Sequence, residues 1–192
     1  MPELPEVETT RRGLEPLIVG QRIQHFTVHQ PRLRWPISAD MPARIQNQTV
    51  QSCLRRGKYL LFEFDSGYQI IHLGMSGSLR HAPRHEPRLP HDHAEWHLPN
   101  ARLLLHDPRR FGAILWHDHS TGPIMEHPLL AHLGVEPLSD AFTPRTLYEG
   151  FKHRRLAVKN ALLEGKTVVG VGNIYASEAL FKAGIHPETP AG

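Results

Sequence analysis

Residues 2–8, Pro2-Glu-Leu-Pro-Glu-Val-Glu8, set an imino acid directly behind the initiator methionine. Proline is small enough that Met1 is normally removed, which leaves a secondary amine as the chain terminus. An α-amino group titrates near about 7.7–8.0, so a sizeable unprotonated fraction exists at neutral pH. Such an amine can attack the C1′ carbon of a deoxyribose and leave a cationic iminium, which acts as an electron sink. Glu3 beside it can give or take a proton as a sugar ring opens. On these residues alone, an ordinary N-terminus with a capping acid remains the simpler account.

Two further constellations carry possible chemistry. Gly170-Val-Gly172 precedes Asn173, whose side chain can cap a following helix, and a helix N-terminus offers free N–H groups to a phosphate. A third glycine and a correctly spaced acid are missing, so a dinucleotide fingerprint is not supported. Gly74-Met-Ser-Gly77 and Asp107-Pro-Arg-Arg-Phe-Gly112 are glycine-bounded loops at strand ends. Met75, Arg109 and Phe111 there could fill the gap that an extruded base leaves in a duplex. The competing account is that Met75 and Phe111 are core residues, and pattern alone favours it.

The charge pattern bears on the partner. The net charge is +3 and the isoelectric point is near 9.2. Cations gather at Arg32-Leu-Arg34, Arg55-Arg56-Gly-Lys58, Arg109-Arg110 and Lys152-His-Arg154-Arg155, with Trp35, Tyr59 and Phe111 nearby. Guanidinium forks beside aromatics favour nucleic acid over a merely solvated surface. The 15 histidines include His91-Asp-His93 and His117-Asp-His119, but no third ligand stands at a recognisable distance, so no metal is expected in residues 1–192. Cys53 is the only cysteine, which excludes an internal disulfide and fits a reducing compartment. No run approaches the roughly 18 apolar residues of a membrane helix, and the acidic start does not read as a signal peptide. The expectation is a cytoplasmic protein with no membrane partner.

These residues have to be held by elements that the pattern partly reveals. Pro5 to about Leu17 reads as a helix, with Val7, Leu14 and Leu17 on one apolar face. From about Gln21 to Asp118 the pattern is of strands. Tyr59–Phe64 and Tyr68–Leu73 flank a turn, as do Trp96–Leu98 and Ala101–Leu105, and Ala113–Trp116 is another strand. The segment from His81 to Pro90 reads as an exposed loop. Thr143-Pro144 opens a helix expected to run to about Glu164, with Leu147, Phe151, Val158 and Leu162 buried and Lys152, Arg155 and Lys159 on another face. A short helix from Ile174 to Ala183 is closed by Gly184. The fold class expected is two-domain α+β, with a boundary near residue 135.

Together these pieces resemble the bacterial formamidopyrimidine-DNA glycosylase family. The resemblance is carried by Pro2–Glu8 with Arg11-Arg-Gly13, Arg34-Trp35, Lys58-Tyr-Leu-Leu61 and His72–Leu79. It continues through Asp107–Gly112, Leu133-Gly134, Glu136-Pro-Leu138 and Val168–Glu178. Leu4, where endonuclease VIII relatives have glycine, favours this family over them. The resemblance implies an N-terminal antiparallel β-sandwich with flanking helices over 1–134 and part of an all-α helix-two-turn-helix domain over 135–192. It also implies base-excision repair of oxidised purines, chiefly 8-oxoguanine and formamidopyrimidines, in damaged double-stranded DNA, by a monomer.

By the same resemblance, Pro2 is the Schiff-base nucleophile, Glu3 its acid/base partner, and Lys58 assists β-elimination. Glu6 helps to hold the flipped nucleotide, and Met75, Arg109 and Phe111 enter the duplex void. His91, Arg109, Arg154, Lys159 and Asn173 contact DNA. The resemblance further implies that complete members continue past the position of Gly192 to a four-cysteine zinc finger. These residues lack that finger, so the chain reads as a fragment or a natural truncation with unshielded apolar surface on its helical half. Two rivals remain: preference for oxidised pyrimidines on the same scaffold, and a non-enzymatic DNA-binding or damage-sensing module.

Overall fold

Helix α1, Leu4–Ile18, begins where Pro5 sits without costing an intrahelical hydrogen bond, and the Glu3 N–H donates to Glu6 Oε2 at 2.9 Å. Leu4, Val7, Leu14 and Ile18 turn inward. Leu17, expected on that face, is 43% exposed, because Ile18, four residues after Leu14, takes the inward position. The structure is a computed structural model describing residues 1–192, and the chain divides into two compact units, Met1–Ile124 and Met125–Gly192.

The first unit holds α1, β1 (His25–Val28), α2 (Met41–Ile45), β2 (Ser52–Arg56), β3 (Tyr59–Phe64), β4 (Gly67–His72), β5 (Ser78–Pro83), β6 (Asp92–His97), β7 (Ala101–His106) and β8 (Ala113–Asp118). They form two four-stranded antiparallel sheets, ordered β1-β6-β7-β5 and β2-β3-β4-β8. The sheets share one apolar core. Phe62 of one meets Trp96 of the other with ring centroids 6.1 Å apart, and the Trp96 indole N–H donates to buried Gln69 Oε1 at 2.8 Å. That bond satisfies a donor that would otherwise cost about 1–3 kcal/mol inside the core.

Strands β1, β2 and β5 were not singled out from the sequence, and β1 is a four-residue strand with one buried side chain, Phe26. β2 carries two arginines and an outward Leu54, so its apolar signal is short. β5 takes in residues 81–83, expected in the exposed loop; as an edge strand it tolerates its polar residues and Pro83.

The second unit contains α3 (Pro144–Phe151), α4 (Val158–Leu163) and α5 (Asn173–Ala183). The single helix expected from Pro144 to Glu164 is in fact two. Lys152 leaves helical geometry at ψ 137 and His153 takes φ 72, which breaks the chain direction between α3 and α4. Lys152 and Arg155 therefore share no helix face with Lys159. Phe151, Val158 and Leu162 still meet in one core with Val168, Ala176 and Leu180, while Leu147 is only partly buried. Leu138, Tyr148 and Phe181 are exposed, and an apolar groove of about 800 Å³ opens beside Phe151, Leu162 and Leu180.

Candidate active site and nucleic-acid interface

Hairpin geometry presents Lys58. Arg56 pairs with Tyr59, so only Gly57 and Lys58 connect β2 to β3, and Gly57 takes the φ of 57 that such a tight connection needs at its first position. Helix α1 is tied to this hairpin by ions. Glu8 accepts from Arg11, from Arg12 at 2.8 Å and from Arg55 Nε at 2.9 Å; Arg55 also donates to the Gly57 carbonyl at 2.8 Å, and Arg11 to that of Cys53 at 3.1 Å. The Arg11 hydrogen bond is the chief reason that the Glu8 carboxyl is held down at about 2. The start of α1 and the tip of the hairpin are thereby fixed to one another.

At that junction Pro2 is half-buried, Glu3 is 2% exposed and Glu6 is exposed. Burial pushes the Lys58 ammonium below its ordinary pKa, while the charges of Glu3 and Glu6 oppose the shift. A lysine whose pKa is lowered by burial gives up its proton more readily than an exposed one. The Tyr59 and His72 rings lie 4.9 Å apart, and the Gly74 N–H donates to His72 Nδ1 at 3.0 Å. Burial, then the charges of Arg34 and Lys58, push His72 down to about 4. This imidazole is neutral at physiological pH.

The second cluster consists of two loops. Asp107, fully buried, accepts from Ser76 Oγ at 2.6 Å and from the Gly112 N–H at 2.8 Å, while the Arg109 N–H donates to Ser76 Oγ at 3.0 Å. Gly74, at φ 64, leaves no room for a Cβ against the backbone of Phe111 and Gly112. So joined, the loops leave Met75 42% and Phe111 45% exposed, outside the core, with the Arg109 guanidinium 4.8 Å from the Phe111 ring centroid.

The structure thus brings Glu3 and Glu6 within electrostatic reach of Lys58, with Pro2 next to Glu3 in the chain, and joins the loops that carry Met75, Arg109 and Phe111. His91 is exposed at φ 70 just before β6, its ring 6.1 Å from that of His93. In the second unit, Arg154 is ion-paired with Glu164 at 2.5 Å, and Lys159 lies on α4. Asn173 is exposed, but it is the first residue of α5 and Gly172 holds the cap position, so Asn173 does not cap that helix. Sequence reasoning did not single out Glu8, His72 or Asp107 as positioning residues. Only Asp107 left a signal, as an Asp-Pro pair opening a turn.

Two family models match the chain, the formamidopyrimidine-DNA glycosylase N-terminal domain over residues 1–114 and the H2TH domain of the same enzymes over 133–192. The formamidopyrimidine-DNA glycosylase of Bordetella avium is 57% identical over 192 residues, covering all of this chain and 70% of that protein. That of Paraburkholderia phytofirmans is 53% identical over 195 residues, covering 100% and 71%. Among solved structures, a complex of Lactococcus lactis Fpg with abasic-site DNA aligns with TM-score 0.92 at 36% identity, covering 99% of this chain and 70% of that one. The wild-type Lactococcus lactis Fpg bound to N7-benzyl-Fapy-dG DNA aligns with the same score at 37% identity and the same coverage. Sandwich, helical unit and matched domains define a DNA glycosylase of the base-excision class. The chain belongs to the formamidopyrimidine-DNA glycosylase family.

Proposed function

We propose that this chain excises oxidised purines from duplex DNA and nicks the strand at the resulting abasic site, with the Pro2 amine as nucleophile. With Met1 removed, the Pro2 nitrogen bonds to C1′ as the bond from C1′ to the damaged base breaks. Glu3 delivers a proton to the ring oxygen, and the sugar opens to an iminium. A base then takes the C2′ proton, the C3′–O bond breaks with phosphate as leaving group, and water hydrolyses the iminium to free Pro2. Lys58 supports the elimination and holds phosphate, and Glu6 steadies the flipped nucleotide. Met75, Arg109 and Phe111 occupy the void, and His91, Arg154, Lys159 and Asn173 hold the backbone.

The observation that carries this reading is that buried Glu3, next to Pro2 in the chain, acts by its charge on Lys58 at a hairpin tip. It is supported by the DNA-bound Fpg structures to which the chain is similar. The four-cysteine zinc site of complete family members cannot be assembled from residues 1–192, whose one cysteine is the buried Cys53. No step above uses it. No helix is long and apolar enough to cross a membrane, and a bacterial cytoplasmic setting fits the proposed substrate.

Borohydride added to the protein with an 8-oxoguanine duplex should trap a covalent adduct whose mass includes Pro2 and excludes Met1. Pro2→Gly should lose most glycosylase and lyase activity. Full activity of that variant would remove the assigned nucleophile.

A further inference from the structure

Arg32, Arg34, Arg109 and Arg110, with Leu33 and Phe111, line one open groove of about 550 Å³ in the first unit. None of the four guanidiniums has a carboxylate within ion-pair distance. Other arginines of the first unit are committed: Arg11 and Arg55 to Glu8, Arg44 to Asp40, Arg80 to Asp92 and Arg102 to Glu95. The carboxylate of the 107–112 loop, on Asp107, is buried and spent on Ser76 and Gly112.

The groove is held open by backbone. The Arg34 N–H donates to the Gly112 carbonyl at 3.0 Å, and the Leu33 and Ile37 N–H groups both donate to the Pro31 carbonyl. Arg34 lies 4.8 Å over Trp35, as Arg109 lies over Phe111, so two guanidinium planes are set by stacking. Like charges fixed this way repel until an anion sits among them.

We propose that this groove is a phosphodiester cradle for duplex DNA beside the Arg109–Phe111 loop, with Arg32 and Arg34 as anion-binding residues. The proposal rests on the DNA reading above and adds two residues to it. A guanidinium fork matches two phosphate oxygens at once, and a phosphate is the anion that a duplex offers along its whole length. Contacts of this kind set register and carry no sequence information.

The test is an anisotropy titration of the full chain with a tetrahydrofuran-containing duplex and its undamaged counterpart, across a series of KCl concentrations. R34Q and R32Q should each weaken binding to both duplexes by about tenfold. Each should lower the slope of log affinity against log salt by about 0.9. R34K should retain the slope and lose part of the affinity. A methylphosphonate scan should find a linkage whose neutralisation weakens the wild type but not R34Q. The Arg32 side chain bonds to no other residue, so R32Q carries the test even if R34Q unfolds. Wild-type binding with unchanged affinity and slope in R32Q and R34Q would overturn the cradle alone. Failure of the wild type to bind any duplex would overturn the DNA reading and the cradle together.

Discussion

Ser76 Oγ lies 2.6 Å from Oδ1 of the fully buried Asp107, and through that bond the loop carrying Met75 and the loop carrying Arg109 are one unit. Asp107→Ala strands the buried Gly112 N–H and frees both loops. The expected loss is about 1–3 kcal/mol of stability, measured by urea denaturation. Affinity for a lesion duplex should fall with it, and Asp107→Asn, which keeps one acceptor, should lose less of both. Wild-type stability in Asp107→Ala would show that the loops hold themselves.

His72 ties the stability of the fold to pH. Its folded pKa of about 4 lies below the ordinary 6.5, so the unfolded chain binds the extra proton between those values. The stability tied to neutral His72 is present above pH 6.5 and is lost as pH falls toward about 4. An imidazole NMR titration should show His72 unchanged through pH 6, and H72N should flatten the acid-side decline in stability. Titration near 6.5 would mean that the ring is wetter than the packing of Tyr59 and Gly74 implies.

The parts of the fold legible in the sequence were those whose signal is local. Pro5, the turn at Asp65-Ser-Gly67 and Gly184 are punctuation with a fixed backbone meaning, and the elements beside them stand where they were expected. β1, β2 and β5 had no such signal, because their faces are polar or half-buried; β1 and β5 also pair with strands distant in sequence, and β2, next to its partner, carries two arginines that break its apolar run. The break at His153 is likewise set by tertiary packing, since the apolar spacing of Phe151 and Val158 fits a continuous helix. Pro2, Glu3 and Lys58 could be named one by one, the lysine through its resemblance. Their convergence depends on Glu8 reaching Arg55, 47 positions away, which no local pattern reports.

Cys53 is fully buried on β2, and desolvation pushes its thiol up to about 12. The thiolate is the reactive form, so the folded protein should be inert to disulfide reagents at neutral pH. Ellman's reagent should register no fast thiol in native buffer and one equivalent in denaturant. A fast native reaction would place β2 at a fraying edge, and with it the hairpin that presents Lys58.

Lys58 answers to two carboxylates of unequal burial. Burial lowers its pKa, and the charges of Glu3 and then Glu6 raise it, so removing either charge should lower it further. Glu3 is buried and its field is less screened, whereas Glu6 is exposed; E3Q should therefore shift Lys58 farther than E6Q. The 13Cε resonance of Lys58 followed against pH reads this directly, independently of turnover. In E6Q the lysine loses its charge at a lower pH, so DNA affinity should weaken earlier on the alkaline side. An upward or absent shift in both variants would separate Lys58 from the N-terminal carboxylates and dissolve the proposed catalytic group.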